Sequence, residues 1–200
     1  MSSADYRLAY VTITGILVLI AISPALSIFL VLPRTEFFSE MWILGPNHTA
    51  ENYPFNVTVG EDYSIFLGLG NRLGFASYYE IMVKFRNLTQ SAPDSFNRTS
   101  SSLSALYAIR AFVADEMTWE IPLSFSFNYE YDELLSHVDV YNMMLNGVEL
   151  EIEDCKIGWD VENKVFFGNL LFELWIYNST ASGFQYHERF VDLKFNMTRS

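Results

Sequence analysis

Six Asn-X-Thr triplets are the chain's most concentrated chemical signal, since each offers an asparagine amide nitrogen to a glycosyl transferase. They are centred on Asn47, Asn56, Asn87, Asn97, Asn178 and Asn196. Chance placement of 13 Asn and 10 Thr in 200 residues gives roughly 0.65 such triplets. Other reactive side chains lack the spacing that chemistry needs. Glu149, Glu151, Glu153 and Asp154 surround Leu150 and Ile152, and period-two alternation makes the glutamates one solvated strand face. A weak calcium site of oxygen ligands, with Asp160 as a further donor, is the functional alternative. His48, His137 and His187 are far apart and form no His-x-x-x-His pair, so no zinc site is expected. His187, within Tyr186-His187-Glu188-Arg189, reads as a surface or inter-strand polar residue rather than a general base. Cys155 has no evident histidine to activate it, and no serine stands in a Gly-x-Ser-x-Gly elbow. The glycine-rich run Gly68-Leu-Gly-Asn-Arg-Leu-Gly74 precedes a strand pattern rather than a nucleotide-binding helix. No catalytic, cofactor-binding or metal residues are therefore expected, and the expected sites are the six glycosylation asparagines.

These asparagines need an element that carries them out of the cytoplasm. Leu8–Leu32 is 25 residues without a charge, about 37 Å as a helix against roughly 30 Å of hydrocarbon. It is long for a signal-peptide core and lacks a clean Ala-x-Ala exit, so it reads as an anchor rather than a cleaved leader. Pro24 within it predicts a kink. Thr12, Thr14, Gly15, Ala21, Ala25 and Ser27 could pack against another membrane helix, and a helix simply dissolved in lipid is the equal alternative. Flanking charges orient the span poorly, but all six sequons follow residue 33. The expected organisation is a cytoplasmic stub over 1–7, a transmembrane helix over 8–32 and an extracytoplasmic domain over 33–200. The expected location is a cell membrane, single-pass, with the N-terminus cytoplasmic and the C-terminal domain extracellular.

A formal charge of −12 makes nucleic acid and anionic lipid poor partners for the outer domain. One cysteine excludes an intrachain disulfide. The remaining residues, rich in Phe, Tyr and Trp, suffice for a sizeable core without one.

Short alternating or aromatic and β-branched runs between turn residues predict antiparallel strands. They are Glu40–Leu44, Phe55–Val59, Tyr63–Leu69, Ala76–Phe85, Leu103–Phe112, Thr118–Phe127, Val138–Leu145, Val148–Ile152, Lys164–Tyr177 with a break near Gly168, and Tyr186–Met197. Asn146-Gly147 between alternating runs predicts a type I′ hairpin. A helix over Asp132–Leu145 is the competing assignment. Gln90–Ser102 predicts a long exposed loop. Trp42, Trp119 and Trp175 are expected in the core, and Trp159 exposed.

Glu40-Met-Trp-Ile-Leu-Gly-Pro-Asn47, Ala50-Glu-Asn-Tyr-Pro54 and Asn56-Val-Thr-Val-Gly-Glu61 resemble the opening of an archaeal membrane-anchored family, domain of unknown function 1616. Gly68-Leu-Gly-Asn71 with Gly74, Thr118-Trp-Glu-Ile-Pro122, Leu171–Tyr177 and Gly183–Tyr186 are similar to later parts of that pattern. The resemblance implies archaeal origin, an envelope location and an outer immunoglobulin-like antiparallel β-sandwich, and it supplies no catalytic residues. The expected function is a non-enzymatic single-pass surface glycoprotein, a structural or accessory subunit of an envelope or membrane complex. The alternative is a carbohydrate-binding or carbohydrate-processing domain. Expected partners are the lipid bilayer, covalent N-glycans and membrane or envelope proteins, with no nucleic acid and no cofactor.

Overall fold

A computed structural model describes residues 3–29, 36–134 and 136–198. Its contacts divide the chain into two units, Met1–Glu36 and Phe37–Ser200. Among the described residues the first contains one helix, α1 (Ser3–Phe29). Over Asp5–Ser23 its mean hydropathy is 1.8, and none of that stretch is buried against the protein. A helix apolar on every side has no amphipathic stripe to lay on a soluble core. Thr14 satisfies its own hydroxyl, donating to the Tyr10 carbonyl at 2.8 Å. Leu30–Leu32, the end of the expected span, lie outside the described residues.

The second unit is mainly β. Its strands are β1 (Phe38–Leu44), β2 (Asn56–Val57), β3 (Tyr63–Arg72), β4 (Ser77–Arg86), β5 (Tyr107–Val113), β6 (Thr118–Asp132), β7 (His137–Leu145), β8 (Val148–Asp160), β9 (Val165–Asn178) and β10 (Gly183–Met197). One arm runs β1-β3-β6-β7-β8, and the other β5-β4-β9-β10-β2. The two pairs Trp159↔Phe166 and Asp160↔Val165 join β8 to β9. The expected sandwich is therefore met in its mainly antiparallel β content, as one curled sheet that folds over its own core rather than as two separate sheets. Among the described residues only β10 and β2 pair in parallel.

Alternation builds the core. Ile65, Leu67 and Leu69 of β3 and Leu123, Phe125 and Phe127 of β6 face Ile81, Val83 and Phe85 of β4 and Leu193 and Phe195 of β10. The rings of Phe85 and Phe127 lie 5.3 Å apart, and those of Phe127 and Phe195 5.1 Å. Gly168 does not break β9. A β-carbon there would stand 2.9 Å from the Phe195 ring, so the glycine admits aromatic packing that any larger residue would displace.

The hairpin at Asn146-Gly147 forms, with φ of 48° and 79° at the two positions and Leu145 paired to Val148. Those are the positive angles of a type I′ turn. The helix considered for Asp132–Leu145 is replaced by β7. Strand pairing on both of its edges outweighs the local helical spacing.

Two of the three tryptophans expected in the core lie elsewhere. Trp119 packs partly buried against it. Trp42 faces away from the core across Gly68, where a β-carbon would meet its ring at 2.0 Å. Trp175 shares the outward side of β9 with Glu173. Period two fixes which residues share a face, and a bulky aromatic does not decide which face is inward. Trp159 is 44% exposed, as expected.

Candidate functional site

The outward face of the β5-β4-β9-β10 arm gathers polar and aromatic side chains from four adjacent strands. Glu80 and Lys84 project from β4, Glu173, Trp175 and Tyr177 from β9, Arg110 and Phe112 from β5, and Phe184 and Tyr186 from β10. One end of this face is covered. Lys84 Nζ lies 2.8 Å from Glu173 Oε2, and both side chains are almost fully buried. Ser101, on the segment between β4 and β5, completes the cluster. Its backbone N–H donates to Glu173 Oε1 at 2.8 Å, while its carbonyl and hydroxyl accept from Lys84 at 3.1 and 3.2 Å. Charges removed from water need such full pairing, and here it straps the segment onto the sheet.

The other end is open. Phe112, Tyr78, Tyr177 and Phe184 form a row, one from each of four adjacent strands. The Tyr78 and Phe184 centroids are 5.3 Å apart, and those of Tyr177 and Phe184 5.5 Å. Arg110 Nε donates to Glu80 Oε1 at 2.7 Å, and its guanidinium sits 5.5 Å from the Phe184 ring centre. The Trp175 indole nitrogen is buried without a hydrogen-bond partner. Burial and neighbouring Glu173 push the Tyr186 hydroxyl up to about 12, so it remains a neutral donor. This surface offers rings for stacking and one fixed guanidinium fork, without a proton-transfer pair.

A second polar set lies on the inward side. His187 Nε2 is 2.9 Å from Ser39 Oγ, Ser39 Oγ is 2.8 Å from the Tyr79 hydroxyl, and that hydroxyl donates to Asn71 Oδ1 at 3.1 Å. Burial, followed by the nearby Arg189 charge, holds His187 below its usual value. The Ser-His contact has the length of a nucleophile and its base. Ser39, however, is 2% exposed and already bonded to Tyr79, which leaves no access at Oγ for a substrate in this arrangement. His187 is thus placed as an inter-strand polar residue bridging β10 to β1. Sequence reasoning missed the relay because its members span 148 positions and no motif links them.

The remaining candidates are dispersed. Glu149, Glu151 and Glu153 are exposed, while Leu150 and Ile152 are buried, as alternation requires. Glu149 accepts from Asn142 Nδ2 at 2.7 Å, and Asp160 accepts from Asn163 within its own turn. His48 approaches Glu120 at 3.1 Å and His137 approaches Asp139 at 3.0 Å. Among the described residues no three His, Cys, Asp or Glu side chains form a metal-sized cluster. Cys155 is buried, which pushes its thiol up to about 11 and away from nucleophilic thiolate chemistry.

The sequons fall in unlike settings. Asn47 and Asn97 stand exposed in loops, although Asn97 Nδ2 donates to Asp94 at 2.5 Å. Asn56 is exposed on β2. Asn87 donates to the Lys156 carbonyl and accepts from Thr89 and Gln90, while Asn178 donates to Gln185 and caps the turn after β9. Asn196 is committed at both ends of its amide, donating to Asn56 Oδ1 and accepting from the Phe166 N–H.

Residues 32–142 match the family model described as domain of unknown function DUF1616. The chain belongs to the DUF1616 family. The DUF1616 match ends within β7, so the similar stretches Leu171–Tyr177 and Gly183–Tyr186 lie beyond it. No curated protein matches this DUF1616 chain in sequence. Among solved structures it is similar to a beta-glucosidase from Listeria innocua. The complex with isofagomine shares 10% identity over 84% of this chain at a TM-score of 0.37, and the complex with glucose 10% over 80% at 0.36. The DUF1616 chain spans 17% and 16% of those enzymes' length. At such scores neither fold nor activity transfers.

Proposed function

We propose that this DUF1616 chain is a non-enzymatic, single-pass surface glycoprotein that displays its β unit outside an archaeal cell as a structural or accessory subunit of an envelope or membrane complex. The single observation behind this reading is α1, apolar around its whole circumference and with no part of Asp5–Ser23 buried in the protein. Lipid is the solvent such a helix needs. The six sequons, all on the C-terminal side of α1, orient it with the N-terminus in the cytoplasm. We read the β unit as an immunoglobulin-like sandwich whose two faces are joined along β8–β9. Mass spectrometry of the protein from its native membrane tests the proposal. Retention of residues 5–23 with glycan on the β unit supports it, whereas cleavage after α1 or bare asparagines throughout would sink it.

The cluster Tyr78, Tyr177 and Phe184 beside the Arg110–Glu80 pair favours a second reading, recognition of an envelope glycan. Sugar ring faces stack on aromatic side chains, and a guanidinium fork pairs with adjacent hydroxyls. This reading expects saturable glycan binding that Tyr177→Ala and Arg110→Ala abolish. Equal binding by those variants removes it.

A further inference from the structure

The end of the β unit at which the chain enters is built to hold apolar side chains in the open. Asn71, fully buried at the end of β3, organises it. Its Nδ2 donates to the Phe75 and Val113 carbonyls at 2.8 and 2.9 Å, and its Oδ1 accepts from the Leu73 N–H at 3.1 Å. Its backbone N–H donates to the Met117 carbonyl and its carbonyl accepts from the Glu116 N–H. One side chain and its own peptide groups therefore fix both the β3–β4 and the β5–β6 connections. Gly74, at φ +83°, donates its N–H to Asp115 Oδ1 and lets the Phe37 ring lie against it. On this ordered frame Phe37 and Phe75 are each 60% exposed, Met117 57% and Phe112 70%. A fixed strand end and loops that together present four large apolar side chains to water call for an apolar partner.

We propose that this end of the β unit rests in the headgroup layer of the bilayer that holds α1, inserting Phe37, Phe75, Phe112 and Met117; the inference rests on α1 being a membrane anchor. Connectivity selects lipid as the occupant. Seven residues separate Phe29 from Phe37, eight steps that reach at most about 29 Å when fully extended. With a net charge of −12 the chain gains nothing from anionic headgroups, so the contact is apolar. Leu134 and Val161, 95% and 79% exposed, lie at the opposite end, in the turns after β6 and β8, away from the residues by which the chain enters the β unit.

The test uses the full chain in phosphatidylcholine nanodiscs, spin-labelled singly through Phe75→Cys, Phe112→Cys, Phe96→Cys or Leu17→Cys. Buried Cys155 stays unlabelled, which the unsubstituted chain verifies. Labels at positions 75 and 112 are expected about 5–10 Å into the headgroup–acyl boundary, colliding with oxygen more than with a water-soluble nickel chelate. The label at 96 is expected to show the reverse, and the label at 17 to lie deepest. Labels at 75 and 112 that match the label at 96 while 17 remains deep would overturn the inference and leave the anchor standing. A water-accessible label at 17 would overturn both. Dipolar broadening between labels at 75 would mark a second copy of the chain as the occupant and would likewise overturn it.

Discussion

Replacing Glu173 by Gln should do more damage than any surface change of equal size. Lys84 is 3% exposed and Glu173 fully buried, so the substitution leaves an ammonium in the interior without its counter-charge. Removing one partner of a buried pair costs about 3–5 kcal/mol. For a chain of this size that corresponds to a Tm loss of roughly 6–20 °C. Lys84→Met should cost a similar amount. The double variant Lys84→Met/Glu173→Leu buries no charge and forfeits chiefly the acceptor of the Ser101 N–H, at about 1–3 kcal/mol. The two single losses, together about 6–10 kcal/mol, should therefore exceed the double loss severalfold. Thermal unfolding of the full chain in detergent micelles, followed by near-ultraviolet circular dichroism, measures all four corners. Trypsin supplies an independent readout, since Arg98 lies in the strapped segment. Glu173→Gln should speed cleavage there below the unfolding transition. Additive losses, or a Tm change under about 2 °C for Glu173→Gln with unchanged cleavage at Arg98, would refute the assignment of this pair as the strap.

Four further outcomes follow from the same geometry. His187 is held below its ordinary value of 6.5. As pH falls below about 6.5 the unfolded chain takes up this proton first, so stability drops until the folded histidine also protonates; His187→Gln should flatten that part of a Tm-against-pH curve, and an unchanged slope would count against it. Asn71→Ala removes the partner of buried Tyr79 and of the two loops, costing at least about 1–3 kcal/mol, and amide hydrogen exchange should accelerate over residues 73–76 and 114–117 but not in β8. Gly68→Ala puts a β-carbon into the Trp42 ring, an overpacking cost of about 1–3 kcal/mol, visible as a red shift of tryptophan emission; unaltered emission and Tm would refute the packing. Glycopeptide mapping should find Asn47 and Asn97 occupied and Asn196 bare, because Asn196 is held between two paired strands at both ends of its amide, whereas the Asn97 amide bonds only within its own exposed turn; full occupancy at Asn196 would show that this end of β10 opens.

Strand positions were legible because each strand carries its signal locally. Tyr63, Thr118, Val148 and Asn146-Gly147 mark boundaries that the structure keeps. The strands run longer than expected wherever pairing extends past the apolar run. β6 continues to Asp132 because it finds ladder partners in β7, and β8 continues to Asp160 because it pairs first with β7 and then, at Trp159 and Asp160, with β9, whatever their own polarity. The outward cluster was not legible. Lys84 and Glu173 are 89 positions apart, and the segment that buries them reads in sequence as an exposed loop. Its serines and Pro93 describe a chain that is irregular, which says nothing about where it lies. Burial of a charge pair is decided by what crosses the face. The Ser101 contacts disclose that crossing.

The same distinction explains why the Ser39–His187 contact is not evidence of hydrolytic chemistry. A nucleophile must meet its base and also an open volume, with donors aimed at the developing oxyanion. Ser39 meets instead a second hydroxyl, Tyr79, whose proton is already given to Asn71. Asn71 in turn spends both amide hydrogens on the carbonyls of Phe75 and Val113. Every group in the relay is therefore committed to holding β1, β4, β10 and the two entry-end loops together. A relay committed in this way joins the closure of the curled sheet to the loops that carry Phe75 and Met117. The polar residues buried on the inward side thus act on the outside of the molecule, by fixing what its entry end presents.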